Sequence, residues 1–145
     1  MITFEEPNGN VIKSPSPNLL QEIILCKGKE YWELGSGEAS LDFVDAHLKS
    51  FLILIFSYSS NEYYIEYYPR QRETNPYLPV SDLSKEGGYF EVIVSGELYR
   101  LPSIAFVSRK KASEIIEVFA KTGMMCRNTI WKRKSDFDWP DDKEN

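Results

Sequence analysis

The feature that most constrains the fold is a run of consecutive apolar residues, Phe51–Phe56, FLILIF. Successive side chains of a strand point to opposite faces, so a run that is apolar at every position needs cover on both faces. The run is far too short to cross a bilayer as a helix, which takes about 20 apolar residues. It therefore predicts a central strand, Phe51–Tyr58, in a sheet with cover on each side.

Other segments rich in aromatic and aliphatic residues, bounded by turn residues, predict further strands. These are Ile2–Phe4, Glu30–Leu34, Ala39–Val44, Asn61–Tyr68, Tyr89–Val94, Glu97–Leu101 and Ile130–Trp131. The turns at Ser59–Ser60 and Ser95–Gly96 predict antiparallel pairing of the strands that flank them. Residues Glu73–Gly88 contain two prolines and two adjacent glycines, and they predict a long loop.

Two segments have the apolar spacing of a helix that buries one face. In the first, from Asn18 to Lys27–Gly28, the apolar positions are Leu19, Leu20, Ile23 and Ile24. In the second they are Ala112, Ile115, Ile116 and Phe119, with Ser108 as the predicted N-cap and Gly123 as the stop. Together these elements predict an α+β fold, a mainly antiparallel meander with one or two helices packed on it.

The chain is predicted to form one domain over residues 1–134, followed by an acidic and flexible tail over 135–145. The first ten residues have no apolar signal segment, so we expect a cytoplasmic protein. Cys26 and Cys126 are far apart in the sequence and predict buried, reduced thiols.

Catalytic and metal-binding patterns are missing from the sequence. His47 is the single histidine, and no histidine or cysteine pair has the spacing of a zinc site. The chain has 22 carboxylates, so proximity in sequence nominates no catalytic pair among them. The prediction is a protein that is not an enzyme, with no catalytic residues, no metal and no cofactor.

Charge and strand alternation nominate a partner-binding surface. Residues 1–75 hold 11 acids and 6 bases, a surface suited to a basic protein partner. Alternation along Asn61–Tyr68 places carboxylates and phenols on one face, and Asp42 and Asp45 are expected to extend it. The predicted binding residues are Glu62, Tyr64, Glu66, Tyr68, Asp42 and Asp45. A Glu62→Lys/Glu66→Lys variant is expected to fold normally and bind its partner more weakly. The alternative interpretation of this strand face is an ordinary solvent-facing sheet without a binding role.

Two short basic clusters, Arg109–Lys111 and Lys132–Lys134, allow a nucleic-acid-binding alternative. They lack interleaved exposed aromatic residues, and the sequence pI is about 5.0. A solvated face, or pairing with the acidic tail, is the favoured interpretation. Trp139 and its acidic neighbours predict a frayed end, or less favourably a segment that docks on a basic partner.

One segment also resembles a known family. The matching residues are Pro102, Val107, Ser108, Phe119, Thr122, Gly123, Ile130 and Trp131. This pattern resembles the type-1 immunity protein family, small cytosolic proteins encoded beside bacterial polymorphic toxins, including those of contact-dependent growth inhibition. The resemblance covers about a fifth of the chain. It implies an antitoxin whose partner is a toxin domain that acts on nucleic acid, a nuclease or a deaminase. With the acidic N-terminal half, this predicts binding to a basic toxin domain by occlusion of its active site or substrate cleft; we expect no membrane partner and do not favour a nucleic-acid partner. A general adaptor module is the alternative.

Overall fold

The computed structural model describes residues 1–70 and 72–140. Within them the chain forms ten strands and three α-helices. The strands are β1 Ile2–Glu5, β2 Val11–Lys13, β3 Glu38–Val44, β4 Lys49–Ser57, β5 Glu62–Tyr68, β6 Tyr77–Val80, β7 Tyr89–Val94, β8 Glu97–Pro102, β9 Phe106–Ser108 and β10 Ile130–Arg133. The helices are α1 Pro17–Cys26, α2 Lys29–Glu33 and α3 Arg109–Thr122. All strand pairs among these residues are antiparallel, so the predicted α+β class is confirmed.

The main sheet is built around β4. Its strand order is β10-β6-β5-β4-β3-β1-β2, and β9 pairs with the end of β5. The predicted pairing of the central strand with Asn61–Tyr68 is confirmed, with Leu54 opposite Ile65. Side chains alternate along β4, so Leu52, Leu54 and Phe56 share one face and Phe51, Ile53 and Ile55 share the other. We call these the inner and outer faces.

Helices α1 and α3 cover the inner face. Ser108 caps α3 by accepting a hydrogen bond from Lys111 N at 3.1 Å, and Gly123 ends it in the left-handed conformation at φ 71°. The Gly123 carbonyl accepts hydrogen bonds from Ser50 Oγ at 2.6 Å and Tyr67 Oη at 2.9 Å. The end of the helix is therefore fixed to β4 and β5, and the predicted helix boundaries are confirmed.

A second layer covers part of the outer face. The β7–β8 hairpin, predicted around Ser95–Gly96, forms a separate two-stranded sheet. Its Val92 and Leu101 pack with Ile55 and Tyr64 of the main sheet in a second apolar core. The predicted cover on both sides of the central strand is thus confirmed over part of its length.

The C-terminal segment packs against the same second core. Phe137 and Trp139 contact it, and Trp139 Nε1 donates to the Lys134 carbonyl at 2.7 Å. The domain therefore continues to Trp139, and the predicted flexible tail does not begin at residue 135. The rest of that predicted tail, 141–145, lies outside the described residues.

Two predicted elements differ from the structure. The segment Glu30–Leu34, predicted as a strand, contributes to the short helix α2, because Trp32 is buried against Tyr63, with ring centroids 5.5 Å apart. The predicted loop Glu73–Gly88 contains β6, which pairs with β10. Local alternation in five residues does not distinguish helix from strand. Pro79 within β6, and Pro76 just before it, made this segment resemble a loop, although it is a strand near the sheet edge.

Candidate partner-binding surface

The predicted stripe on β5 is largely covered rather than exposed. Tyr64 is 1% exposed and Glu66 is 7% exposed, while Glu62 and Tyr68 are half-buried. Phe106, on the neighbouring strand β9, places its ring 5.8 Å from that of Tyr64, and Val92 and Leu101 of the second layer pack in the same core. The expectation that this face is an open surface is wrong for its centre.

Glu66 is the centre of an internal polar network. Its Oε2 accepts from Tyr64 Oη at 2.6 Å and from Lys134 Nζ at 2.9 Å, and its Oε1 accepts from Tyr68 Oη at 2.8 Å. Lys134 also lies over the Trp139 ring, 5.3 Å from the centroid. The network joins β5 to the C-terminal segment, so Glu66 has a structural role in this fold.

Glu62 and Asp45 also have partners within the chain. Lys85 Nζ lies 2.8 Å from the Glu62 carboxylate. Asp45 Oδ1 accepts from the backbone N–H groups of His47 and Leu48, and these bonds hold the pKa of Asp45 below its usual value. Asp45 thus shapes the exposed turn between β3 and β4.

These contacts overturn one expectation about variants. In a Glu62→Lys/Glu66→Lys chain the new lysines would face Lys85 and Lys134, and one of them would be buried. Normal folding of that variant is therefore no longer expected. It is unsuitable as a test of binding, since loss of binding would follow from loss of the fold.

Beside the hairpin, the outer face has a further group of carboxylates. Register places Asp42 opposite Phe51, and Phe51 opposite Tyr68, so all three side chains lie on the outer face. Glu5 and Glu38 lie on the same face, because Glu5 is opposite Ser40 and Glu38 is two residues before it. We call Glu5, Glu38, Asp42, Phe51 and Tyr68 the acidic sheet face.

Two carboxyl groups of the acidic sheet face, Asp42 and Glu38, have raised pKa values. Partial burial raises the pKa of Asp42, and the charge of Glu5 raises it further. Partial burial raises the pKa of Glu38 as well, with added repulsion from Glu66 and Glu5. None of Glu5, Glu38 and Asp42 forms an ion pair within residues 1–70 and 72–140. A cationic group brought to this face would relieve the repulsion.

Two aromatic rings lie beside these carboxylates, on the neighbouring strands β4 and β5. Phe51 and Tyr68 are half-buried, with ring centroids 5.7 Å apart. Lys13 and Lys49 are the basic residues of the outer face nearest to Asp42, one on β2 and one at the start of β4. Carboxylates beside partly exposed rings suit arginine and lysine side chains, which combine ion pairing with cation–π contact.

Sequence reasoning found part of this surface. Asp42 and Tyr68 were predicted and lie on it, while Glu5, Glu38 and Phe51 were missed. The alternation of side chains along β1, β3 and β4 would have placed these residues on one face if the pairing of the three strands had been known.

The basic clusters contact their own chain at several points. Arg109 Nη1 donates to the carbonyls of Ile24 and Lys27 at 3.0 and 2.9 Å, at the C-terminal end of α1. Arg133 lies over the Tyr77 ring at 4.0 Å, and Lys134 pairs with Glu66. Arg109, Arg133 and Lys134 thus contact the domain itself, whereas Lys110 and Lys132 are exposed, as on the solvated face that was one of the two favoured interpretations. The other, pairing with the acidic tail, falls partly on residues 141–145, which lie outside the described residues.

Other reactive side chains form no ligand cluster. Within the described parts of the chain, no group of three or more His, Cys, Asp and Glu side chains could hold a metal ion. Both cysteines are free thiols, Cys126 buried and Cys26 exposed, so predicted burial is wrong for Cys26.

We expect the folded chain to lose stability at alkaline pH, because several of its tyrosines are buried or partly buried. Burial raises the pKa of Tyr63, Tyr64 and Tyr68 above the ordinary value of 10.0. A group with a raised folded-state pKa stabilises the fold fully below pH 10 and loses that contribution as pH rises through the folded value. We expect the free energy of unfolding, measured in urea, to fall steadily above pH 10. In Tyr64→Phe the slope should be shallower by about 1.4 kcal/mol per pH unit. Constant stability from pH 9 to 11.5 would contradict this.

Comparisons with known proteins do not identify the chain. No protein-family model matches it, and no curated protein is significantly similar to it in sequence. The resemblance of Pro102–Trp131 to type-1 immunity proteins therefore stays a prediction.

Hydropathy adds one finding. Among the helices of the described residues, none combines the length and the apolar character needed to cross a membrane.

Proposed function

We propose that this protein is a cytoplasmic immunity protein that binds and neutralises a cognate toxin domain. The observation that carries the proposal is the acidic sheet face, where Glu5, Glu38 and Asp42 lie together without an ion pair in the described residues. Glu62 and Glu66, in contrast, are neutralised by Lys85 and Lys134. The unpaired carboxylates are the ones available to a partner.

The proposed mechanism is occlusion of a basic cleft, without turnover. Enzymes that act on nucleic acid bind phosphates with lysine and arginine. A surface of carboxylates can occupy the position of those phosphates, and charge complementarity also speeds association. Partial burial raises the pKa values of Asp42 and Glu38, the charges of nearby carboxylates raise them further, and a cationic partner would offset that repulsion.

The resemblance to immunity proteins supports the scaffold more than the contact surface. Ser108 and Gly123 cap α3, Phe119 is fully buried, and Trp131 Nε1 donates to the Cys126 carbonyl at 3.0 Å. These residues hold α3 between β9 and β10, and none of them belongs to the acidic sheet face. The family is thus suggested by residues that build the fold.

Co-expression tests the proposal directly. The chain is produced with the C-terminal domain of the protein encoded immediately upstream of it, and growth is recorded alongside calorimetry of the purified pair. We expect rescue of growth and a one-to-one complex with Kd on the order of 1 nM or below. Continued growth arrest without a complex would reject the proposal and favour the adaptor alternative.

The nucleic-acid-binding alternative predicts a different result. It requires salt-dependent retention on immobilised DNA or RNA through the basic clusters. The contacts of Arg109 with α1 and of Lys134 with Glu66 make this alternative weaker, because those charges are already used within the domain.

A further inference from the structure

A cleft of about 540 Å³ lies where the β7–β8 hairpin meets the end of the main sheet. Its walls are the Gly35–Gly37 loop, the Ser57–Ser59 turn and β7. Trp32 and Phe56 line it, and both are buried, with ring centroids 6.0 Å apart. The lining contains no residue of the acidic sheet face, and besides these two buried rings it includes the exposed Tyr58.

The walls of the cleft are fixed by backbone contacts. Ser95 N donates to the Ser36 carbonyl at 2.8 Å, joining the hairpin tip to the loop. Gly37 has φ of +83°, and a Cβ there would lie 2.6 Å from the Ile93 carbonyl oxygen. Only glycine permits this close approach, so the cleft is preformed in the free protein.

Exposed apolar side chains surround the opening. Tyr58 is 42% exposed, Ile93 56% and Leu98 61%, and all three line the cleft. Ile93 and Leu98 are paired across the hairpin, so they form one continuous apolar surface. Large apolar side chains grouped around a cleft are typical of binding sites.

Among the described residues, both charged residues that line this cleft are glutamates, so their charge is negative. Glu33 and Glu91 belong to the lining, and no lysine or arginine of residues 1–70 and 72–140 lines it. Lys29 approaches Glu33 at 3.8 Å, but both side chains are about half exposed, so solvent screens that pair. Arg100 lies opposite Glu91 across the hairpin and lies over the Tyr89 ring at 5.4 Å. The cleft therefore favours a group that is apolar along its length and cationic at its end.

We propose that this cleft binds a lysine or arginine side chain of a partner protein. The aliphatic stem would lie against the exposed Ile93, Leu98 and Tyr58, and the cationic end would reach Glu33 and Glu91. The identity of the partner as a toxin domain rests on the proposed function. The preference of the cleft for a cationic side chain is independent of that proposal.

A peptide titration tests the cleft without any toxin. The full chain, labelled with ¹⁵N, is titrated with acetyl-Leu-Arg-amide and, as a matched probe, with acetyl-Leu-Glu-amide. We expect saturable shifts of the Gly35, Gly37 and Gly96 amides with the arginine peptide, and binding of the glutamate peptide at least about tenfold weaker. The Glu33→Gln/Glu91→Gln variant should lose this preference. Absent shifts, or equal binding of the two peptides, would overturn the proposal.

The toxin complex separates failure of the cleft from failure of the proposed function. Ile93→Ser/Leu98→Ser is expected to raise Kd at least about tenfold, whereas Ile130→Ser, an exposed strand position outside the cleft, should leave it within about twofold. A tight wild-type complex that these variants leave unchanged overturns the cleft proposal alone. Arginine-peptide binding without any toxin complex overturns the proposed function and supports the cleft.

Discussion

Replacing Glu66 by alanine is expected to destabilise the fold by about 3 kcal/mol. The change leaves the buried Tyr64 hydroxyl without its acceptor, which costs about 1–3 kcal/mol, and it removes the attachment of Lys134. Lys134 and Tyr68 are partly exposed and can turn to water, so their contributions are smaller. Thermal unfolding should show the loss as a midpoint lower by about 6–12 °C.

Two companion variants show whether the network is responsible. Glu5→Ala removes an exposed carboxylate from the same face of the sheet and should change stability by less than about 0.5 kcal/mol. Lys134→Met in the Glu66→Ala background should cost less than Lys134→Met alone, because the two residues share one network. Additive losses would show that Glu66 and Lys134 are not coupled, and a Glu66→Ala chain as stable as the wild type would show that Glu66 has no structural role.

Neutralising Glu38 and Asp42 is expected to raise stability and weaken toxin binding together. Both groups have raised pKa values in the folded chain, so their ionisation opposes folding at pH 7, and the opposition disappears as pH falls below their unfolded values. Glu38→Gln/Asp42→Asn removes these charges with little change in shape. The thermal midpoint should rise at pH 7, and Kd for the toxin domain should increase at least about tenfold.

The matched control removes two carboxylates elsewhere. Glu22 and Glu86 are exposed, lie on α1 and after β6, and are outside the acidic sheet face. Glu22→Gln/Glu86→Gln has the same net charge as the test variant, so it should keep affinity within about threefold if the effect is local. Equal weakening by both variants would indicate only long-range attraction, and unchanged affinity in the test variant would remove this face from the contact surface.

Local patterns predicted the elements that depend on neighbouring residues in sequence. Three features of α3 are set by residues close together in sequence, and all three are confirmed: the cap at Ser108, the apolar stripe and the stop at Gly123. The strand at Phe51–Phe56 is confirmed for the same reason. Short segments without such signals, α2 and β6, were predicted incorrectly because burial of Trp32 and pairing with β10 come from distant parts of the chain.

The sequence by itself determined the α+β class, the central strand with cover on both faces, and the capped helix α3, because periodicity and capping are local properties. Only the tertiary structure decided which carboxylates are free to bind. Glu62 and Glu66 alternate with tyrosines, a pattern that is typical of an exposed strand. Each nevertheless pairs with a lysine that is distant in sequence: Lys85 is 23 positions from Glu62, and Lys134 is 68 positions from Glu66. Glu5, Glu38 and Asp42 come from strands that become neighbours only in the sheet, and their mutual repulsion arises from that proximity in space.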